Sequence, residues 1–327
     1  MTASAGRVVY MNGKLVPESE AKLSIYDSAL MFGDMVFEMT RSFRGHQFKL
    51  REHLERLYAS ARFVAIDMPM TIDDMMAACD QTIAANAAGF AADDEHRLMI
   101  NVTRGLLSLY AGRVDAPVGA NVIISDFPLR WTVAGMAGLF DSGINAVIPA
   151  QRAIPAQLLE PKVKNRSRLY YMMANIEVSR MKGDNNWALL LDPDGFVAEG
   201  TGANFFLVRN GRLLTPEPRN ILRGISRDYV LELAGELGIE AEEKNLEPYD
   251  VMTADEAFFT ATPFCILPVT RFQGTALGSG KMGPLTQKLL DRWSKNVGVD
   301  IVGQIKSWAG TVNTAQGPSP YQFAAKK

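Results

Sequence analysis

Pro161-Lys162-Val163-Lys164-Asn165 opens the stretch of sequence that decides the fold, and Val197-Ala198-Glu199-Gly200-Thr201-Gly202-Ala203-Asn204 closes it. Between these two segments, apolar runs alternate with turns that contain aspartate, proline and glycine. A lysine amine can form a covalent bond to a carbonyl carbon, and a carboxylate can hold a positively charged group. The stretch therefore supplies two of the groups that such covalent chemistry requires.

A third group comes from Arg223-Gly224-Ile225-Ser226-Arg227, which opens a predicted helix. The amino end of a helix offers N–H groups and positive potential, so it suits a phosphate. Together these segments resemble the class IV, fold-type IV enzymes that use pyridoxal phosphate (PLP). That family includes branched-chain and D-amino-acid aminotransferases, (R)-selective amine transaminases and aminodeoxychorismate lyase. The resemblance extends from about Tyr10 to about Trp293.

The resemblance implies a two-domain α/β (α+β) fold of type IV. A small α+β domain accompanies a larger PLP-binding domain that has a barrel-like β core and flanking helices. The length of 327 residues also favours two domains. Beyond residue 127 the periodicity fades and glycines accumulate, which is typical of a connection. We expect the small domain at 1–127, the interdomain linker at 128–143, the large domain at 144–308 and a flexible tail at 309–327.

Composition argues against several classes of protein. The chain is 47% hydrophobic and 21% charged, with a net charge of -2 and no run of like charges, so a nucleic-acid or anionic-membrane surface is not expected. No apolar run reaches the roughly 18 residues of a membrane span. Cys79 and Cys265 suggest no disulfide framework, and His46, His53 and His96 are too dispersed for a metal site. A reducing, cytoplasmic location fits this composition.

Local patterns predict several elements of the small domain. Asn12-Gly13 is typical of the type I′ turn of a hairpin. Leu50–Val64 carries apolar residues on one helical face. Thr71, with Asp74 three residues later, predicts the start of another helix, which Gly89 ends.

Lys164 is the residue that we expect to bind PLP. Lys162 is the alternative, because in an extended segment both side chains point the same way. The family places its lysine just before a short segment that enters a helix, and Val163-Lys164-Asn165 matches that arrangement better. The resemblance implies a second role for this lysine, which moves a proton at the reacting carbon. That role requires a neutral amine, which an enclosed site favours.

Glu199 corresponds to the glutamate that pairs with the pyridine nitrogen of PLP in the family. The matching pattern is Glu-Gly-x-x-x-Asn followed by an apolar strand, and it ends at Asn204. A protonated ring acts as an electron sink, which is why the family needs a carboxylate there. Asn204 either supports this loop or caps a turn.

The phosphate contacts are also implied by the resemblance. Gly224 lets the backbone approach closely, and the amides of Ile225 and Ser226 bind the phosphate in relatives. Thr262 and Arg56 match two further phosphate ligands of the family. Without the family match, Arg56 would be read as an ordinary solvated helix residue.

The substrate pocket departs from the pattern of the branched-chain enzymes. A segment that lines the pocket in relatives contains Phe32, Phe37, Met39 and Arg41. The Tyr-x-Arg pair of the branched-chain enzymes is missing, because Arg97 and Met99 occupy its two places; Met99 is thereby a candidate pocket residue. The sequence Val102-Thr103-Arg104-Gly105 instead resembles the D-amino-acid and (R)-amine branches.

Binding of the substrate carboxylate is expected to be rearranged as well. Relatives can use the amide just after the Thr262 position, and Pro263 has no N–H to offer. Arg113 is a candidate mobile arginine that replaces the missing donors; the alternative is a solvated loop charge.

We therefore expect a PLP-dependent aminotransferase. Its donor would be a branched-chain or other apolar amino acid, and its acceptor a 2-oxo acid such as 2-oxoglutarate or pyruvate. The alternatives are a D-amino-acid or (R)-amine transaminase, and a lyase that uses the same cofactor. The family works as dimers, so a homodimer is implied, with no nucleic-acid or membrane partner.

Overall fold

A computed structural model describes residues 6–312 of the chain. These residues form two compact units. The first unit comprises residues 6–129 together with 163–168, and the second comprises residues 130–162 and 169–312.

The first unit contains a five-stranded antiparallel sheet, a short hairpin and two long helices. The strand order in the sheet is β2-β1-β7-β6-β3, and β4 pairs with β5. Its elements are β1 (Val8–Met11), β2 (Lys14–Pro17), α1 (Ser28–Phe32), β3 (Met35–Met39), β4 (Ser42–Phe43), β5 (His46–Gln47), α2 (Leu50–Phe63), α3 (Ile72–Asn86), β6 (His96–Thr103) and β7 (Asn121–Pro128).

The turn and the helix starts predicted for this unit are confirmed, whereas the second long helix ends earlier than predicted. Asn12 and Gly13 both have positive φ, 50° and 90°, as a type I′ turn between β1 and β2 requires. Thr71 and Asp74 form the reciprocal hydrogen bonds of a capping box at the start of α3. The helix ends at Asn86, and Gly89 ends the 3₁₀ turn that follows it. The apolar face of α2 packs with α3 against one face of the sheet.

The second unit is built around a nine-stranded mixed sheet. Its main order is β10-β9-β8-β15-β14-β11-β12-β13, and β16 pairs with β15. Its elements are α4 (Arg130–Val133), α5 (Leu139–Ser142), β8 (Ile144–Val147), α6 (Leu169–Ser179), β9 (Asn186–Leu191), β10 (Val197–Gly200), β11 (Asn204–Arg209), β12 (Arg212–Pro216), α7 (Ile225–Glu236), β13 (Ala241–Lys244), α8 (Pro248–Met252), β14 (Glu256–Ala261), β15 (Cys265–Phe272), β16 (Thr275–Ala276), α9 (Pro284–Val297) and α10 (Ile301–Ser307).

The sheet of the second unit curls. β10 stands at one end of the strand order, yet only three residues connect it to β11, and Gly200 donates its N–H to the carbonyl of Ala203 at 2.8 Å. A strand at the end of the order can meet an inner strand only if the sheet bends round on itself. The mixed α/β fold with a half-barrel sheet confirms the expected fold class.

The structure divides the chain differently from the sequence analysis in two places. Residues 128–143, expected as the interdomain linker, include α4 and α5, in which Val133, Leu139 and Phe140 are buried, and the division falls after Leu129. Val163–Arg168 belongs to the first unit although it lies far along the chain. Of the tail expected at 309–327, residues 313–327 lie outside the described residues.

Between residues 6 and 312, no helix combines the length and apolar character that a membrane crossing needs. Within the same range, no three His, Cys, Asp or Glu side chains are grouped to hold a metal ion. Cys79 and Cys265 are both buried as free thiols.

Candidate active site

Lys164 is fixed by its own backbone in the first unit. Its carbonyl oxygen accepts a hydrogen bond from the N–H of Phe37 at 3.0 Å, and its N–H donates to Oγ of Ser60 at 3.2 Å. Phe37 lies on β3 and Ser60 on α2, so a strand and a helix both hold the residue. The Nζ atom lies 4.8 Å from the centroid of the Phe37 ring.

Lys162, the alternative lysine, is engaged elsewhere. Its Nζ atom donates to Oε1 of Glu160 at 2.6 Å and to the carbonyl of Arg219 at 2.9 Å, within the second unit. The amine is therefore already held by two hydrogen-bond acceptors. This environment does not suit an amine that must become a nucleophile.

Arg56 is not a solvated surface residue. Its Nε and one terminal nitrogen donate to the two oxygens of Glu38, at 2.7 and 2.9 Å, and only 13% of its side chain is exposed. Glu38 is completely buried on β3, and Nδ1 of His53 lies 2.7 Å from its Oε2. An Arg–carboxylate pair of this geometry is strong and fixes the plane of the guanidinium group.

The charges of this cluster follow from burial and proximity. Burial alone would raise the pKa of Glu38, but Arg56 and His53 hold the pKa well below its ordinary value. Burial lowers the pKa of His53, and the positive charges of Arg56 and Lys164 lower it further against the opposing effect of Glu38. We therefore take His53 as neutral at pH 7, with its Nδ1–H donating to an ionised Glu38. The ion pair that matters is then the one between Arg56 and Glu38.

Glu199 is the centre of a buried polar network in the second unit. Its Oε1 accepts a hydrogen bond from the hydroxyl of Tyr171 at 2.6 Å. Its Oε2 accepts from Nδ2 of Asn204 at 3.0 Å and from the N–H of Leu222 at 3.1 Å. Asn204 therefore contacts Glu199 directly, in agreement with the first of the two roles considered for it. Three donors from separate elements fix the carboxylate in one orientation.

The amino end of α7 lies next to this network, because Leu222 is two residues before Gly224. Gly224 is the N-cap residue of the helix, and no side chain caps the first turn. A Cβ at position 224 would lie 2.0 Å from Oδ1 of Asn204, so only glycine fits there. The backbone amides of Ile225 and Ser226 therefore stand at a helix end suited to an anion.

Thr262 lies at the end of the sheet where β11 begins with Asn204. Asn204, the first residue of β11, pairs with Thr260 of β14, and Thr262 follows just beyond that strand. Pro263 occupies the next position in the turn to β15. Four of the predicted cofactor residues, Glu199, Gly224, Ile225 and Ser226, are thus brought together, with Thr262 at the neighbouring hairpin.

The predicted substrate residues on β3 and β6 share one face of the first sheet. Met39 pairs directly with Met99, and Phe37 pairs with Asn101. A terminal nitrogen of Arg97 lies 3.7 Å from the sulfur of Met39. These side chains lie on the face opposite to Glu38, because neighbouring residues of a strand alternate.

The other predicted substrate residues of the first unit lie outside β3 and β6. Phe32 ends α1 and is 64% exposed. Arg41 is buried, with its guanidinium carbon 3.9 Å from the centroid of the Phe43 ring. Arg113 lies on an exposed turn, where its N–H donates to the carbonyl of Tyr110.

Sequence reasoning missed the partners of the chosen residues. Tyr171, Glu38 and Ser60 each contact a predicted site residue, and none of them was singled out. The best signal was the spacing of His53, Arg56 and Ser60, which places polar groups along one side of an otherwise apolar helix face. Polar residues at such positions need partners when they are buried.

Comparison with known proteins identifies the family. The family described as amino-transferase class IV matches residues 35–272. The chain belongs to this family. It is therefore an aminotransferase, and the family resemblance described from the sequence is confirmed.

Individual relatives are similar over most of this aminotransferase. It is 38% identical, over 87% of its own length and 94% of the other, to a putative branched-chain-amino-acid aminotransferase of Methanocaldococcus jannaschii. It matches the crystal structure of the Escherichia coli branched-chain amino acid aminotransferase with a TM-score of 0.79 and 29% identity, covering 87% and 92% of the two chains. It matches the Thermobaculum terrenum branched-chain enzyme in its PLP form with a TM-score of 0.77 and 26% identity, covering 94% and 98%.

Proposed function

We propose that this aminotransferase moves the amino group of an apolar amino acid, a branched-chain one first of all, to a 2-oxo acid such as 2-oxoglutarate or pyruvate. The relatives reported above are named as branched-chain enzymes. The observation that carries the proposal is the partly exposed pair of Met39 and Met99, on the same face of the first sheet as Phe37, whose ring lies 4.8 Å from Nζ of Lys164. Aliphatic and aromatic walls favour an apolar substrate side chain. This support favours transamination over the lyase activity considered from the sequence. The assay below tests whether the donor is instead a D-amino acid or an (R)-amine.

We propose PLP as the cofactor, and the residues present fit its three polar ends. The uncapped helix end at Gly224, with no room for a Cβ, suits the phosphate. The buried carboxylate of Glu199, held by three donors, suits a protonated ring nitrogen. The amine of Lys164 suits the aldehyde carbon. When bound, PLP takes up the electron pair of the broken bond at the substrate carbon and carries the amino group.

The residues of the chain would divide the work as follows. Nζ of Lys164 holds the cofactor and then accepts the proton from Cα of the donor. Glu199 keeps the ring nitrogen protonated, and Tyr171 and Asn204 keep Glu199 in place. The amides of Ile225 and Ser226, with Thr262 and Arg56, bind the phosphate before reaction begins, so they contribute affinity for the cofactor rather than rate.

A donor and acceptor survey tests the function. L-Leucine, D-alanine and (R)-1-phenylethylamine are offered as donors to the purified protein, each with 2-oxoglutarate and with pyruvate. We expect L-leucine to be the best donor, and the yellow colour of the protein to bleach when it is added without acceptor. If L-leucine is inert while (R)-1-phenylethylamine turns over, the branched-chain proposal is wrong.

We also propose that the enzyme acts as a homodimer. The first unit exposes several large apolar side chains: Ile25, Leu30 and Phe32 are each more than 60% exposed, and Leu109 is 55% exposed. A surface of this kind is typical of a subunit interface. Sedimentation equilibrium tests the proposal, and a monomer at micromolar concentration would contradict it.

A further inference from the structure

Three positively charged side chains meet at one aromatic ring in the first unit. The guanidinium carbons of Arg166 and Arg168 lie 3.6 and 4.9 Å from the centroid of Phe37, and Nζ of Lys164 lies 4.8 Å from it. We call Lys164, Arg166 and Arg168 the Phe37 cation cluster. Only Lys164 has a role in the function proposed so far. Guanidinium groups are well suited to binding an anionic ligand such as a carboxylate or a phosphate.

Arg166 is held in place by a neutral side chain. Its Nη2 and Nε lie 3.1 and 3.4 Å from Oδ1 of Asn101. Asn101 pairs with Phe37 across β6 and β3, so the residue that orients Arg166 and the ring beneath it belong to the same rung of the sheet. The backbone of Arg166 is also fixed, because its N–H donates to the carbonyl of Met35 at 3.2 Å. A guanidinium fixed before a ligand arrives loses little entropy on binding it.

The surroundings of the cluster suit an anion that has an apolar portion. Met39 follows Phe37 on the same face of β3, and its cross-strand partner is Met99. Both side chains are partly exposed. A ligand with a negative group at Arg166 can therefore lay an apolar chain over the two methionines. Flexible thioether side chains adapt to aliphatic groups of different shape.

Arg166 lies over Phe37, whose side chain points away from Glu38 and from the arginine assigned to the phosphate. Glu38, which holds Arg56, is the residue between Phe37 and Met39 and points to the opposite face of β3. The groups proposed above to bind the phosphate are the amides of Ile225 and Ser226, Thr262 and Arg56, and none of them belongs to the cluster. Besides the phosphate of PLP, the other anion in the proposed reaction is a carboxylate, because every 2-oxo acid acceptor carries one.

We propose that Arg166, with Arg168 beside it, binds the carboxylate of the amino acid and 2-oxo acid substrates, and that Met39 and Met99 contact the apolar side chain. The inference rests on the proposed function and names the group that recognises its substrates. A guanidinium can bind a carboxylate through two parallel hydrogen bonds. Arg166 would then take over from the amide that Pro263 lacks. Arg113, the candidate from the sequence, remains on its exposed turn.

Titration calorimetry with a non-reacting acid and its uncharged analogue tests the inference. The probes are 4-methylpentanoate and 4-methylpentanamide, added to the holoenzyme and to the Arg166→Gln, Arg166→Lys and Asn101→Ala variants. Arg166→Gln should weaken binding of the acid by about 10- to 100-fold, as expected for lost hydrogen bonds to a charged group. Binding of the amide should stay within about twofold of the wild type. Arg166→Lys, which keeps the charge, should recover part of the affinity.

The control variants are Arg113→Gln and Lys162→Gln, which remove a positive charge outside the cluster and should leave the preference for the acid unchanged. Equal affinity of Arg166→Gln and the wild type for the acid would overturn the inference. A loss confined to Arg113→Gln would overturn it in favour of the exposed turn. Titration of each apoprotein with PLP shows whether the cluster binds the phosphate of PLP instead of the substrate carboxylate. If Arg166→Gln binds PLP more weakly but keeps its preference for the acid over the amide, the cluster binds the phosphate and the inference is overturned. Calorimetry needs no turnover, so failure of the proposed transamination would be recognised separately.

Discussion

Asn204 connects Glu199 to Gly224 within the second unit. Its Nδ2 donates to the carboxylate of Glu199 at 3.0 Å, and its Oδ1 stands 2.0 Å from the point that a Cβ of residue 224 would occupy. One amide side chain thus sets the carboxylate and the start of α7 at a fixed spacing. PLP is a rigid ring with its nitrogen at one side and its phosphate at another, so a fixed spacing of the two binding groups suits it.

Gly224→Ala should therefore disturb both ends of the proposed cofactor site. The new methyl group must displace Asn204, because it would lie 2.0 Å from the Oδ1 atom of that residue. We expect the dissociation constant of PLP to rise by about 10-fold or more. Equilibrium titration of the apoprotein with PLP gives this value. Gly235→Ala is the matched control and should bind PLP normally. Position 235 lies in the same helix, and nothing lies within 4 Å of the place that the alanine Cβ would take.

Glu199→Gln should keep the fold and slow the reaction. The single oxygen of glutamine can still accept from Asn204 and the Leu222 N–H, and its NH2 group can donate to the hydroxyl oxygen of Tyr171, but it cannot hold a protonated ring nitrogen. By analogy with removal of a positioned electrostatic group, the barrier should rise by about 2–4 kcal/mol. Single-turnover kinetics with L-leucine measures the change. Near-normal turnover would show that another residue holds the nitrogen; Glu217→Gln, at the surface, is the control.

Lys164→Ala should abolish turnover, whereas Lys162→Ala should not. Lys162 is paired with Glu160 and with the carbonyl of Arg219, and so contributes to the local fold rather than to the chemistry. Borohydride reduction of the holoenzyme, followed by peptide mapping, should place the cofactor on Lys164. A label on Lys162 would contradict this assignment.

Arg56→Ala should have two separate effects. Removing the cation leaves Glu38 charged and buried, so the free energy of unfolding should fall by about 3–5 kcal/mol. The double variant Glu38→Gln, Arg56→Ala removes both charges and should regain part of this loss. In the double variant, the affinity for PLP should still be weaker than in the wild type, while the affinity for pyridoxal, which has no phosphate, should not change. If PLP binds the double variant normally, Arg56 is a structural residue only.

The stability of the protein should depend on the protonation of His53. The pKa of this residue is lowered in the folded state, by burial above all, so the unfolded chain binds the proton more readily. Its contribution is complete above the unfolded pKa of about 6.5 and is lost as the pH falls toward the folded pKa. His53→Asn keeps an N–H for Glu38 and removes the titration. Urea unfolding between pH 8 and pH 5 should show a smaller loss of stability in the variant, and equal losses would contradict the interpretation.

Features with a local cause were predicted from the sequence. The turn at Asn12-Gly13 and the capping box at Thr71 depend on residues that are close in the chain, so the pattern contains the whole reason for the structure. The choice of Glu199 came from a resemblance, and the residue lies at the centre of a buried network. Its role, like those of the other site residues, stays a prediction.

Features with a distant cause were not predicted. Glu38 and Arg56 are 18 residues apart, and nothing in the sequence shows that the two charges are buried together. The hydrogen bond from Tyr171 to Glu199 depends on how α6 packs on its sheet. The segment at 128–143 has too few turns for helical periodicity to stand out, so its glycines suggested a connection where α4 and α5 form.

The assignment of Val163–Arg168 to the first unit has a consequence for how the protein is made. The backbone of Lys164 and Arg166 pairs with Phe37 and Met35 along the outer edge of β3. During synthesis, residues 6–129 emerge before this segment does, and at about 5–20 residues per second the wait lasts roughly 2–8 s. Until then the N–H and C=O groups of β3 stand open to any extended chain nearby. A nascent chain of this enzyme is therefore most exposed to mispairing just before the lysine proposed for catalysis leaves the ribosome.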